Sequence, residues 1–159
     1  RLKGIYLELG FSVNTFESVA EVNPGSVADF DRRMQAVVAF EKLPDAEALA
    51  AANKRIRNIL RKTDETIPEA PDPSLFQGSE ETALHRSVEE KSTEIRPLLA
   101  AFDYAGVLVS LAQLRQPVDR FFDQVMVMAD DQAIRRNRLA LLMRLNQLFL
   151  GVADISRLH

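Results

Sequence analysis

Asp119 and Asp123 stand four residues apart in the segment PVDRFFDQ (117–124), which puts two carboxylates on one face of a helix. A pair of that kind can act as general acid and general base. The plainer reading is structural: Asp119 favours the positive end of a helix, and Asp123 accepts from a nearby arginine. Only two histidines occur, His85 in an acidic stretch and His159 at the last position. Neither has a partner at metal-ligand spacing, so no metal site is expected. Cysteine is absent, which removes thiolate ligands, thiol nucleophiles and disulfides. Pro24-Gly25-Ser26 could hold one anion at the amides of a following helix, but a plain turn and an N-cap explain it better. Neither a Gly-rich phosphate loop nor a nucleophile elbow is present. Catalysis is not expected in this chain.

Binding is written more clearly, in charge. The stretch LAAANKRIRNILRKT (49–63) holds five basic residues and no acid. Between Asp131 and Asp154 there is again no acid, while Arg135, Arg136, Arg138 and Arg144 supply four positive charges. Residues 64–103 are the counterweight, with ten acidic residues against three basic ones, and the whole chain carries −3. Screening beyond roughly 8–10 Å makes a local basic face matter more than the net charge. Two acid-free helical segments on an acidic body point towards a polyanion, RNA above all. The competing expectation is that the acidic middle simply packs beside the basic helices.

The elements that must carry these residues read as helices throughout. No segment sustains a period-2 alternation, and at 159 residues with 47% hydrophobic residues the chain can bury a core. Leu2–Leu9 reads as a helix closed by Gly10. Ser12 caps a short helix ended by Asn23-Pro24-Gly25, and Ser26 caps one that stops at Pro44. Asp45 is expected to cap the first basic helix. Residues 63–78 form a Pro-rich acidic loop in which Ile67, Leu75 and Phe76 seek burial. Ser79 opens a helix that runs inward through Leu84, Val88, Ile95 and Phe102, with Pro97 expected to kink or split it. Asp103 caps the next, Pro117 starts another, and Asp130 or Asp131 caps the last. The expected architecture is all-α, a compact antiparallel bundle of about six to eight helices. Residues 1–44 are expected as a helical segment packed on a bundle formed by 45–159. No run is long and apolar enough to span a membrane, and the cytoplasm is the default compartment. An opening on Arg-Leu-Lys, directly in a helical pattern, suggests a piece of a longer protein.

At 100° per residue the first basic helix turns Leu49, Ala52, Ile56 and Leu60 inward. Lys54, Arg57 and Arg61 form a stripe on one flank, with Arg55 and Lys62 on the other. In the last helix Arg136, Asn137, Arg144 and Gln147 share the outward face opposite Leu142, Leu145 and Phe149. Arg138 points into the apolar arc, where a guanidinium needs a carboxylate. It is read as a structural clamp to Asp119, Asp123 or Asp130. The outward cationic and amide groups suit phosphates and unpaired base edges.

These same pieces carry a resemblance. AAANKRIRNILRK (50–62), PVDRFFDQVMVMADD (117–131), NRLALLMRLNQLF (137–149) and VADIS (152–156), in this order and spacing, resemble the C-terminal region of the bacterial glycyl-tRNA synthetase β subunits. That region is itself similar to the helical anticodon-binding, or DALR, domain of arginyl-type synthetases. RLKGIYLELGFS (1–12) and VVAFEKLP (37–44) resemble the segment just upstream, so the likeness covers nearly the whole chain.

The resemblance implies a DALR-like fold that binds the anticodon end of a glycine tRNA and performs no chemistry itself. It implies partners in the rest of the β subunit and in an α subunit that joins glycine to tRNA. The chain would hold no cofactor, with ATP and magnesium used at a site outside it. The residues expected to meet RNA are Lys54, Arg57, Arg61, Lys62, Arg136, Asn137 and Arg144. With no Trp and only Tyr6 and Tyr104 as tyrosines, base stacking on aromatic rings is limited, and reading would fall to Arg and Asn. The alternative is a protein-interaction module whose basic helices dock an acidic partner surface.

Overall fold

Side-chain caps set half of the helix starts. Ser12, Ser26, Asp103 and Asp131 each accept from a backbone N–H three residues on, at Thr15, Asp29, Gly106 and Ile134. Each satisfies one of the donors a helix leaves free in its first turn. They open α2 (Val13–Ala20), α3 (Val27–Glu41), α6 (Tyr104–Ala112) and α8 (Gln132–Leu150). Gly10, at φ +97°, closes α1 (Leu2–Glu8) in the left-handed region. The computed structural model describes residues 1–159. It adds α4 (Ala46–Arg61), α5 (Ser79–Ala100) and α7 (Arg115–Gln124), two 3₁₀ turns at Pro73–Leu75 and Ile155–Leu158, and no strand.

Three local expectations need correcting. Asp45 stands at the N-cap of α4 but makes no capping bond, because its carboxylate is taken by the Arg115 guanidinium at 3.2 Å. Pro117 is the third residue of α7 rather than the first. A first turn leaves its N–H groups free, so proline fits there without loss. Phe102 lies outside the core: at φ +58° it ends α5, 55% exposed, with the Arg32 guanidinium 5.6 Å from its ring centre. Pro97 neither splits nor ends α5, which runs on to Ala100.

The core centres on α8. Leu139, Ala140, Leu141, Leu142, Leu145, Leu148 and Phe149 are all buried, which is more than one face of a helix can supply. α4, α5, α6 and the turn at 73–75 pack around it. Outside them, α3 lies on α6, α7 lies on α4 and α5, and α2 and α4 hold the 155–158 turn. One cluster of 32 buried residues runs from Tyr6 to Ile155. Phe30, Met34, Val37 and Phe40 of α3 belong to it, so residues 1–44 share the core of 45–159.

Two polar side chains seal this packing. Arg33 donates to the carbonyls of Gly151 (3.0 Å) and Val152 (2.8 Å) just past the end of α8, and pairs with Asp29 at 2.8 Å. Its guanidinium also lies 4.3 Å from the Tyr104 ring centre, which ties α3 to α6. Asn137 works at the other end of α8. Its amide oxygen accepts from the Asp72 N–H at 2.6 Å, and its nitrogen donates to the Asp72 carbonyl at 3.0 Å. The 63–78 loop is thereby laid along α8, with Pro71 buried.

Candidate nucleic-acid interface

The four arginines of α8 are all spoken for, which overturns the expectation of an open basic face there. Arg135 donates to both carboxylate oxygens of Glu65, at 2.6 and 2.8 Å, and to the Ala129 carbonyl at 2.9 Å. Arg136 reaches the same Glu65 at 3.3 Å. Arg144 donates to the Ser92 hydroxyl at 2.8 Å and pairs with Glu89 at 3.5 Å. Asn137 is 3% exposed and spends its amide on the loop backbone. Hydrogen bonds from Arg135 hold Glu65 down to about 2, from an ordinary value of 4.5. The acids of 64–103 thus neutralise α8, because the loop and α5 fold onto it. Arg136, Asn137 and Arg144 do not share an outward face.

Arg138 is a clamp as expected, but on a different carboxylate. It donates to Glu81 at 3.1 Å and to the Met126 carbonyl at 2.6 Å, and the Glu81 side chain is 2% exposed. Asp119 instead pairs with Arg115 at 3.3 Å, one turn away in α7. Asp123 is exposed at the end of the same helix. The two aspartates therefore lie apart in function, one in a surface ion pair and one facing solvent, and form no acid–base pair. The ring of His85 packs edge-on against Phe76, 5.4 Å between centres.

The C-terminal half of α4 differs from α8. Lys54, Arg55, Arg61 and Lys62 are all exposed. Lys54 donates to the His159 carbonyl at 3.3 Å, Arg61 to the Asn58 side chain at 3.0 Å, and Arg55 lies 4.5 Å from the Phe122 ring centre. None of the four meets a side-chain carboxylate. Arg57 is the exception on this helix. It bonds to Asp154, whose side chain is 1% exposed, and lies 3.9 Å from Glu21. Asp154 also accepts from the Ser156 N–H (3.1 Å) and hydroxyl (2.6 Å) and pairs with Arg157 at 3.5 Å. Arg57 is therefore anchored in the scaffold, where a solvent-facing stripe residue was expected.

Beside this helix runs a cleft of about 970 Å³. Lys54, Asn58 and Arg61 of α4 line it, with Asn146 and Leu150 of α8 and His159 at the C-terminal turn. A shallower groove of about 390 Å³ follows the other flank, past Arg55, Ile59 and Lys62. α4 is thus a cationic ridge between two hollows. Sequence reasoning found Lys54, Arg61 and Lys62 but missed Asn58 and Asn146. Asn58 lies one turn beyond Lys54, so the 54–61 stripe already contained it. Asn146 interrupts an apolar run of α8, a signal the charge map does not register.

Fold and site define an all-helical binding module, with a cationic helix along a polar cleft. Residues 49–154 match the DALR anticodon binding domain. The chain belongs to that family. Over 158 residues it is 49% identical to the glycine–tRNA ligase β subunit of Pseudomonas putida (strain GB-1) and 51% identical to that of Pseudomonas aeruginosa. The Marinobacter nauticus subunit is 51% identical over 159 residues. Each alignment covers 99% of this chain and 23% of the relative, so the chain spans less than a quarter of their length.

Proposed function

We propose that this chain is the tRNA-binding domain of a glycine–tRNA ligase β subunit and holds the anticodon end of a glycine tRNA along α4. The observation that carries this reading is the set of four exposed cations at the C-terminal half of α4, within the matched span and without side-chain carboxylate partners, beside a polar cleft. Phosphates supply most of the attraction in such complexes and fix the register of the RNA. Lys54, Arg55, Arg61 and Lys62 are placed to meet them. Arg57 serves indirectly by fixing the cleft wall through Asp154. Joining glycine to the tRNA, with ATP and magnesium, takes place outside this chain. The rest of the β subunit and an α subunit are its partners, in the cytoplasm.

Binding of an anticodon stem-loop, measured at two salt concentrations beside the same stem-loop with its anticodon bases changed, tests this reading. The expected result is weaker binding of the changed loop, with a salt slope that corresponds to several phosphate contacts. Equal binding of both RNAs would reduce α4 to a nonspecific cationic face. No binding of either would favour an acidic protein surface as the ligand of α4.

A further inference from the structure

Four asparagines lie within α4 and α8, although asparagine is a weaker helix former than the alanines and leucines around it. Two are explained by the scaffold. Asn53, 1% exposed, donates to the Leu49 carbonyl at 2.9 Å, and Asn137 holds the Asp72 backbone. The other two have no such duty. Asn58 accepts from Arg61 at 3.0 Å and keeps its amide nitrogen free, while Asn146 bonds to no protein group. Both are half-buried, and both line the same cleft from different helices.

We propose that Asn146 and Asn58 are the specificity-determining residues of this domain, reading the edge of one unpaired base seated in the cleft. The inference rests on the anticodon-binding reading above and deepens it. An amide sets a donor and an acceptor side by side, the pattern that a base edge presents. A guanidinium or ammonium offers donors alone, and where it meets phosphate it holds the strand without regard to sequence. The cleft contains both kinds of group in separate places: Lys54 and Arg61 on the exposed part of α4, the amides deeper in. Val22, Leu60 and Leu150 line it with aliphatic surface, against which the faces of a base can rest. Its volume of about 970 Å³ lies within the ~300–1,000 Å³ range of sites that enclose small organic ligands. With His159 as the lone ring in the lining, discrimination falls mainly to hydrogen bonds at the base edge.

The test compares the wild-type chain with Asn146→Ala, Asn58→Ala and Arg61→Ala. Each is titrated with an anticodon stem-loop and with three versions that carry one altered anticodon base, at two salt concentrations. The wild type is expected to lose about tenfold or more in affinity for at least one altered loop, the worth of a good amide–base pairing. Asn146→Ala is expected to bind that loop and the original within about threefold of each other, with an unchanged salt slope. Asn58→Ala is expected to weaken the same discrimination. Arg61→Ala should instead weaken all four RNAs alike and lower the salt slope by about one. Alanine at 146 breaks no hydrogen bond within the protein, so the melting curve should not fall. Full discrimination retained by Asn146→Ala overturns the inference and leaves anticodon binding standing. A uniform loss in that variant makes Asn146 a backbone contact and also overturns it. A wild type that binds no stem-loop overturns the reading beneath it.

Discussion

Asp154 gathers contacts from three residues on two elements. It caps the 155–158 turn through Ser156, pairs with Arg157, and takes Arg57 from α4. Removal of Arg57 leaves a carboxylate that is 1% exposed with one ion pair, at 3.5 Å. A lost charge-assisted bond of this kind costs about 1–3 kcal/mol. Arg57→Ala is therefore expected to lower the melting temperature by roughly 2–10 °C in a domain of this size, as thermal unfolding followed by circular dichroism would show. Any loss of RNA affinity in that variant is partly the scaffold giving way. Periodicity alone placed Lys54, Arg57 and Arg61 on one stripe. It could not distinguish them, because the partner that claims Arg57 lies 97 residues further along. Arg138 repeats the lesson: burial on an apolar face announced a clamp, but Glu81, not Asp119, Asp123 or Asp130, closes it.

Among the elements, helix starts were the most legible feature, since a cap is a local event. Ser12, Ser26 and Asp103 could be read directly, and Asp131 as one of two neighbouring candidates. Asp45 could not, since a distant arginine competes for its carboxylate. Gly106 belongs to the cap of α6: a Cβ there would stand 2.4 Å from the Asp103 carboxylate oxygen. Gly106→Ala should thus displace that cap and cost about 1 kcal/mol, visible as an earlier unfolding midpoint in urea. The 63–78 loop carries a pH signature. Glu65 sits at about 2 in the folded protein because Arg135 and Arg136 hydrogen-bond its charged form. A depressed carboxylate stabilises fully above its unfolded value, near 4.5, and loses that contribution as pH falls towards 2. The loop is expected to loosen from α8 across that window. A Glu65→Gln variant should show a flatter acid limb in unfolding experiments between pH 5 and 2, and an unchanged limb would show that the pairing adds nothing.

For the whole molecule, the charge map along the chain was correct but ambiguous. Two acid-free helices and one acidic stretch admit two folds, one with both helices open and one with both covered. The structure takes a third course, with α8 covered and α4 open. That outcome depends on where a loop and a helix far apart in sequence come to rest. It leads to opposite expectations for the two sets of arginines. The double change Arg61→Glu and Lys62→Glu should abolish stem-loop binding, measured by fluorescence anisotropy, without altering helical content. Alanine at Arg136 and Arg144 should instead lower the melting temperature and leave the salt slope of binding as it was.

His159 lies on the walls of both hollows, and its carbonyl takes the hydrogen bond from Lys54. A small fluorophore placed at position 159 becomes a reporter, its emission changing when an RNA strand comes to lie beside it.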